Sequence, residues 1–139
     1  MSKISQIDKN FEIKAPSTRQ DTVFINATDP AFEINGVYYE DGKFRRLPEE
    51  VARDVSWGVL GLSTNTAGGR LRFKTNSSYI ILHAKLGEIG KMPHFALTGS
   101  AGFDLYQKEE EEYTYRGTIV PAFDVTDTVS GIVDFGTNE

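Results

Sequence analysis

Apolar and polar residues alternate with a period of two along most of the chain beyond residue 20, the signature of strands with one wet face. The run Tyr79-Ile80-Ile81-Leu82-His83-Ala84-Lys85-Leu86 shows it best. Ile80, Leu82, Ala84 and Leu86 fall on one face, His83 and Lys85 on the other. Val23-Phe24-Ile25 reads as a short buried strand ended by Asn26, Thr28, Asp29 and Pro30. Phe32-Glu33-Ile34 and Val37-Tyr38-Tyr39 flank Asn35-Gly36, which predicts a hairpin with a two-residue turn. A second turn at Asp41-Gly42 leads into Lys43 to Leu47 and would extend that hairpin to a three-stranded meander.

Helical grammar occurs in one stretch, Pro48 to Val55, with proline at a first-turn position and acids near the positive end of the dipole. Val51 and Val55, four residues apart, would face a core together. Trp57, the single tryptophan, follows as a core plug or as a sugar-stacking platform. Val59 to Leu62 reads as a strand, and Arg70 to Thr75 as another with Leu71, Phe73 and Thr75 inward.

After a Gly/Pro break at Gly87 to Pro93 and the segment His94 to Leu97, the stretch Gly99 to Tyr106 opens an alternating strand on two glycines. Phe103 and Leu105 should share one face, Asp104 and Tyr106 the other. Aspartate competes for backbone hydrogen bonds and is depleted in strands, so Asp104 needs a fixed partner, either as a turn cap or as a carboxylate lining a site. Gln107 to Glu112 carries four consecutive acids and reads as a solvated hairpin tip. Tyr113 to Val120 returns as a strand, Pro121 to Gly131 reads as loop, and Ile132 to Phe135 begins one more strand.

About ten strands at intervals of roughly 8 to 12 residues, with turn signals between them, predict an all-β fold. The expected architecture is a two-sheet β-sandwich, jelly-roll-like, with at most one short helix. Residues 1–19 are expected to form a polar N-terminal arm with one edge strand at Phe11-Glu12-Ile13, and residues 20–139 one sandwich domain.

The chain has 139 residues, 39% hydrophobic and 25% charged, with a net charge of −5, and lacks the basic surface that phosphate binding requires. Arg70, Arg72 and Lys74 alternate on one strand face, the pattern of a solvated surface. No apolar run reaches the 18 or so residues of a membrane span, and Met1 to Gln6 has no apolar signal core. With no cysteine, the chain has neither disulfides nor thiolate chemistry, which fits a cytoplasmic setting. No histidine and acid spacing of metal-ligand type occurs, so neither a metal nor another cofactor is expected.

Three motifs in order carry a family resemblance: Arg46-Leu47-Pro48, the run Ala67 to Ser77 containing Gly69-Arg70-Leu71-Arg72-Phe73-Lys74-Thr75-Asn76-Ser77, and Gly102-Phe103-Asp104-Leu105-Tyr106. The last resembles the Gly-x-Asp-Leu-Tyr signature of the N-terminal β domain that precedes the catalytic domain in certain SGNH-type, GDSL-like esterases. The resemblance spans Phe32 to the C-terminus and implies a jelly-roll-like domain followed by the hydrolase, a lipase or acylhydrolase. The Gly-Asp-Ser nucleophile and late Asp-x-x-His that such an esterase needs do not occur here, Asp54-Val55-Ser56 being the nearest approach. His83 and His94 have no neighbouring motif to orient them as bases. Any activity therefore belongs to the following hydrolase domain, which the resemblance places, after further strands, beyond Glu139.

The candidate binding residues are Asp104, Tyr106, Arg70, Asn76, Ser77 and Trp57, which would help shape access for an acylated, carbohydrate-like substrate. A structural role for them would show as turn bracing, or as Arg70 or Arg72 paired with Asp104 across strands. The alternative is a free-standing carbohydrate-binding jelly roll using Tyr38, Tyr39, Trp57, Tyr113 and Tyr115. A third reading is a homo-oligomer joined through an open sheet edge.

Overall fold

The computed structural model describes residues 21–87, 89–90, 92–125 and 127–135. The expected arm and its strand at Phe11 to Ile13 lie outside them. The described chain is rich in strands, eight in all, and carries three short helices rather than one. Its contacts divide it into two units, residues 23–76 and a second built from residues 77 onward together with the segment ending at Thr22.

In the first unit, β1 (Glu33–Asn35) pairs antiparallel with β4 (Arg70–Arg72), Glu33 opposite Arg72 and Asn35 opposite Arg70. The hairpin expected around Asn35-Gly36 therefore does not form, because Asn35 is a strand residue committed to a distant partner. Packing between Phe32 and Phe73, ring centroids 5.3 Å apart, holds this long-range pair together. The second turn is as expected. Asp41 and Gly42, at φ 48° and 79°, join β2 (Tyr38–Glu40) to β3 (Lys43–Arg45) in the geometry of a type I′ turn. Tyr39 and Phe44 face each other across that hairpin with centroids 5.0 Å apart.

Helix α1 (Glu49–Val55) forms where proline and the two acids predict it. Its buried residue is Ala52, whereas Val51 and Val55 are exposed, so the expected valine face is not the packed one. Ser56 ends α1 and caps α2 (Trp57–Leu62), its Oγ accepting from the Val59 amide at 3.1 Å. That cap turns Val59 to Leu62 into helix, where the sequence reads strand; a four-residue apolar run carries no period able to separate the two. Trp57 is 85% exposed and plugs no core. Val23 and Ile25 are also exposed, and no strand forms there. The strand at Arg70 stops at Arg72, leaving Leu71 and Phe73 half-exposed and Thr75 exposed.

The second unit contains two long ribbons. β5 (Tyr79–Lys85) pairs antiparallel with β8 (Thr128–Asp134), so the expected loop from Pro121 to Gly131 ends four residues sooner, before Thr128. β6 (Phe103–Glu109) pairs with β7 (Glu112–Ile119) through a tight turn at Glu110-Glu111, the acidic tip expected from the sequence. A one-turn helix, α3 (Leu97–Ser100), precedes β6, so Gly99 and Ser100 end a helix instead of opening a strand. The ribbons meet at Ile119, Val129 and Val133, with Leu82, Ala84, Leu86, Leu105 and Phe135 around them. Contact is close because glycines face branched side chains. A Cβ on Gly131 would lie 2.6 Å from Ile119, and one on Gly117 3.3 Å from Val133.

Candidate functional site

The signature hairpin has two unlike faces. Leu105 lies opposite Gly117 on the face turned to the core, while Asp104 lies opposite Thr118 on the other. Between Leu105 and Tyr106 the register slips: Tyr106 faces Tyr115, leaving Arg116 as an extra residue on β7. This bulge decides the chemistry of the open face. Simple alternation from Ile119 would turn Tyr115 and Tyr113 inward; the extra residue sends both outward, beside Tyr106. Arg116 is held aside by its Nε, which donates to Gln107 Oε1 at 2.8 Å.

The open face thus presents Asp104, Tyr106 and Lys108 from β6 and Thr118, Tyr115 and Tyr113 from β7, all exposed. Tyr106 and Tyr115 meet edge to face, centroids 5.7 Å apart. Thr118 Oγ1 donates to Asp104 Oδ1 at 2.6 Å. Because that bond uses the threonine's one proton, the 2.6 Å contact between Tyr115 Oη and Thr118 Oγ1 must be donated by the tyrosine. A directed chain runs from Tyr115 through Thr118 to Asp104 and fixes ring and carboxylate together. Lys108 Nζ stands 5.7 Å from the Tyr113 ring centre and 3.6 Å from Glu111.

Gly102 sets the entry to this face. At φ 143°, in a region that L side chains rarely adopt, it passes so near β7 that a Cβ would sit 3.0 Å from the Ile119 carbonyl oxygen. Each fixed letter of Gly-x-Asp-Leu-Tyr therefore has a place: the glycine for the close approach, the leucine for the core, the aspartate and tyrosine for the open face.

Of the six candidate residues, Asp104 and Tyr106 come together here. Asp104 takes Thr118 as its partner in β7. Ser77 braces the entry to β5, its Oγ donating to the Tyr79 carbonyl at 2.7 Å. Arg70, Asn76 and Trp57 belong to the first unit: Arg70 is a β4 residue opposite Asn35, and Asn76 and Trp57 are exposed. In that unit Arg46 of the Arg-Leu-Pro motif ties β3 to the end of α2. Its amide donates to the Ser63 carbonyl at 2.7 Å and its Nη2 to the Ala67 carbonyl at 3.2 Å.

Sequence reasoning missed Thr118, because its role depends on a cross-strand register. It also missed that His83 and Ser130 stand opposite each other on β5 and β8. His83 Nδ1 and Ser130 Oγ are buried without a hydrogen-bond partner among the described residues, so no base is engaged with a nucleophile at that pair. Among the described residues no group of three histidine or acid side chains could hold a metal ion, and no helix is long and apolar enough to cross a membrane.

These features define a strand-rich domain whose signature hairpin packs its half-buried leucine on the core and displays its aspartate and tyrosine. Residues 22–138 match the GxDLY family, the N-terminus of SGNH-hydrolase-type esterases, and the chain belongs to that family. Neither a curated protein nor a solved structure matches it.

Proposed function

We propose that this is a non-catalytic domain that packs on the SGNH hydrolase it precedes and helps shape access for an acylated, carbohydrate-like substrate. The observation that carries the reading is the family match over residues 22–138, with the signature aspartate and tyrosine on an open face. Two further facts support it. The sequence contains neither Gly-Asp-Ser nor Asp-x-x-His, and the chain's His–Ser juxtaposition at His83 and Ser130 is unbonded. In this reading the two packed ribbons of the second unit are the facing layers of a jelly-roll-like sandwich.

The test is hydrolysis of p-nitrophenyl acetate by the purified chain, run beside labelling with a fluorophosphonate serine probe. The expected result is a rate equal to buffer and no labelled serine. Turnover that disappears with Ser130→Ala or His83→Ala would overturn the non-catalytic role.

A further inference from the structure

We infer that the open face of the β6–β7 hairpin is itself a binding site for a neutral oligosaccharide, with Tyr106 and Tyr115 as ring platforms and Asp104 as the hydroxyl acceptor. The inference rests on the carbohydrate reading above and assigns it to a place in the fold. Three half-exposed tyrosines lie on one short ribbon, 54%, 54% and 55% accessible at Tyr106, Tyr113 and Tyr115. Such rings supply apolar faces at little conformational cost and suit the C–H face of a pyranose.

The polar groups beside them include both acceptors and donors. Asp104 can only accept, and Tyr115 has already committed its proton to Thr118. Lys108 on the same face can only donate, so the face suits a ligand that both donates and accepts hydrogen bonds next to an apolar ring, as sugar hydroxyls do. Charge narrows the class further. The acidic tip Glu109 to Glu112 adjoins the face and the chain carries a net −5, which disfavours polyuronates, nucleic acids and a second copy of this chain. The Tyr115–Thr118–Asp104 chain adds pre-organisation, since it holds platform and acceptor in fixed relation before any ligand arrives.

The experiment titrates the whole chain with cellohexaose and xylohexaose, followed by amide and aromatic NMR shifts and by calorimetry. Saturable binding is expected, with shifts centred on Tyr106, Tyr115 and Thr118. Tyr115→Ala and Asp104→Ala should each weaken it about tenfold while the thermal melt shows the chain still folded. Thr118→Val, which breaks the chain of hydrogen bonds but touches no sugar in this scheme, should weaken binding less than Asp104→Ala. Three outcomes overturn the inference: no binding by the folded chain at millimolar sugar, binding unchanged in a Tyr106→Ala/Tyr115→Ala double variant, or shifts centred on Trp57. Concentration-dependent dimerisation abolished by the same double variant would also overturn it, by giving the face to a second copy. Each of these leaves the hydrolase-partner reading standing, because that reading is tested by catalysis.

Discussion

Gly102 and Asp104 show how one short motif divides its work between folding and surface chemistry. Gly102→Ala puts a side chain at φ 143° and against the Ile119 carbonyl, and should cost about 1–3 kcal/mol in chemical denaturation. Asp104→Asn keeps an acceptor for Thr118 on an exposed face, so its melting should move by no more than about 0.5 kcal/mol equivalent. A large loss there would mean that the carboxylate is structural after all. Alternation alone sets Leu105 and Asp104 on opposite faces, and the fold turns the leucine face to the core. The partner of Asp104 was not legible, because Thr118 lies fourteen positions away and only the β6–β7 register brings it across.

Among the elements, the bulge at Arg116 has the largest effect on the surface. Deleting Arg116 should close the bulge and set Tyr115 next to Gly117, so that simple alternation keeps Tyr115 and Tyr113 on the open face opposite Tyr106 and Lys108. The expected result is a folded chain with little change in tyrosine fluorescence, short of the Arg116–Gln107 bond; a collapsed melt with an altered spectrum would show that the tyrosine face depends on the bulge itself. In the first unit, Glu49 joins β3 to α1. Its carboxylate pairs with the buried Arg45 and, at 2.5 Å, with Arg53, while its amide donates to Glu40 Oε2 at 2.9 Å. Glu49→Gln leaves the Arg45 guanidinium buried without its counter-charge and should cost about 1–2 kcal/mol by urea titration. A long alternating strand such as β5 is readable from period alone. Short apolar runs are not: Val59 to Leu62 became helix through the Ser56 cap, and Asn35 joined β4 instead of turning, since long-range pairing overrode a local turn signal.

Across the whole molecule, the described buried apolar residues are few, and Val129 is the largest side chain among them that is fully enclosed. Hydrogen exchange should therefore be slowest in β5, β8 and the Gly117–Ile119 end of β7, and fast from Val23 to Ala31, where few backbone bonds form. Val129→Ala should remove about 2 kcal/mol and raise exchange through both ribbons together. Uniform protection along the chain would contradict this picture of where stability resides. The role proposed for the domain is to help a hydrolase receive its substrate. It is tested most directly by kcat/KM of the esterase polypeptide, with and without this domain, on an acetylated neutral oligosaccharide relative to p-nitrophenyl acetate. Removing the domain should lower that ratio about tenfold in enzyme that still turns over the small ester. A ratio unchanged by removal would contradict it.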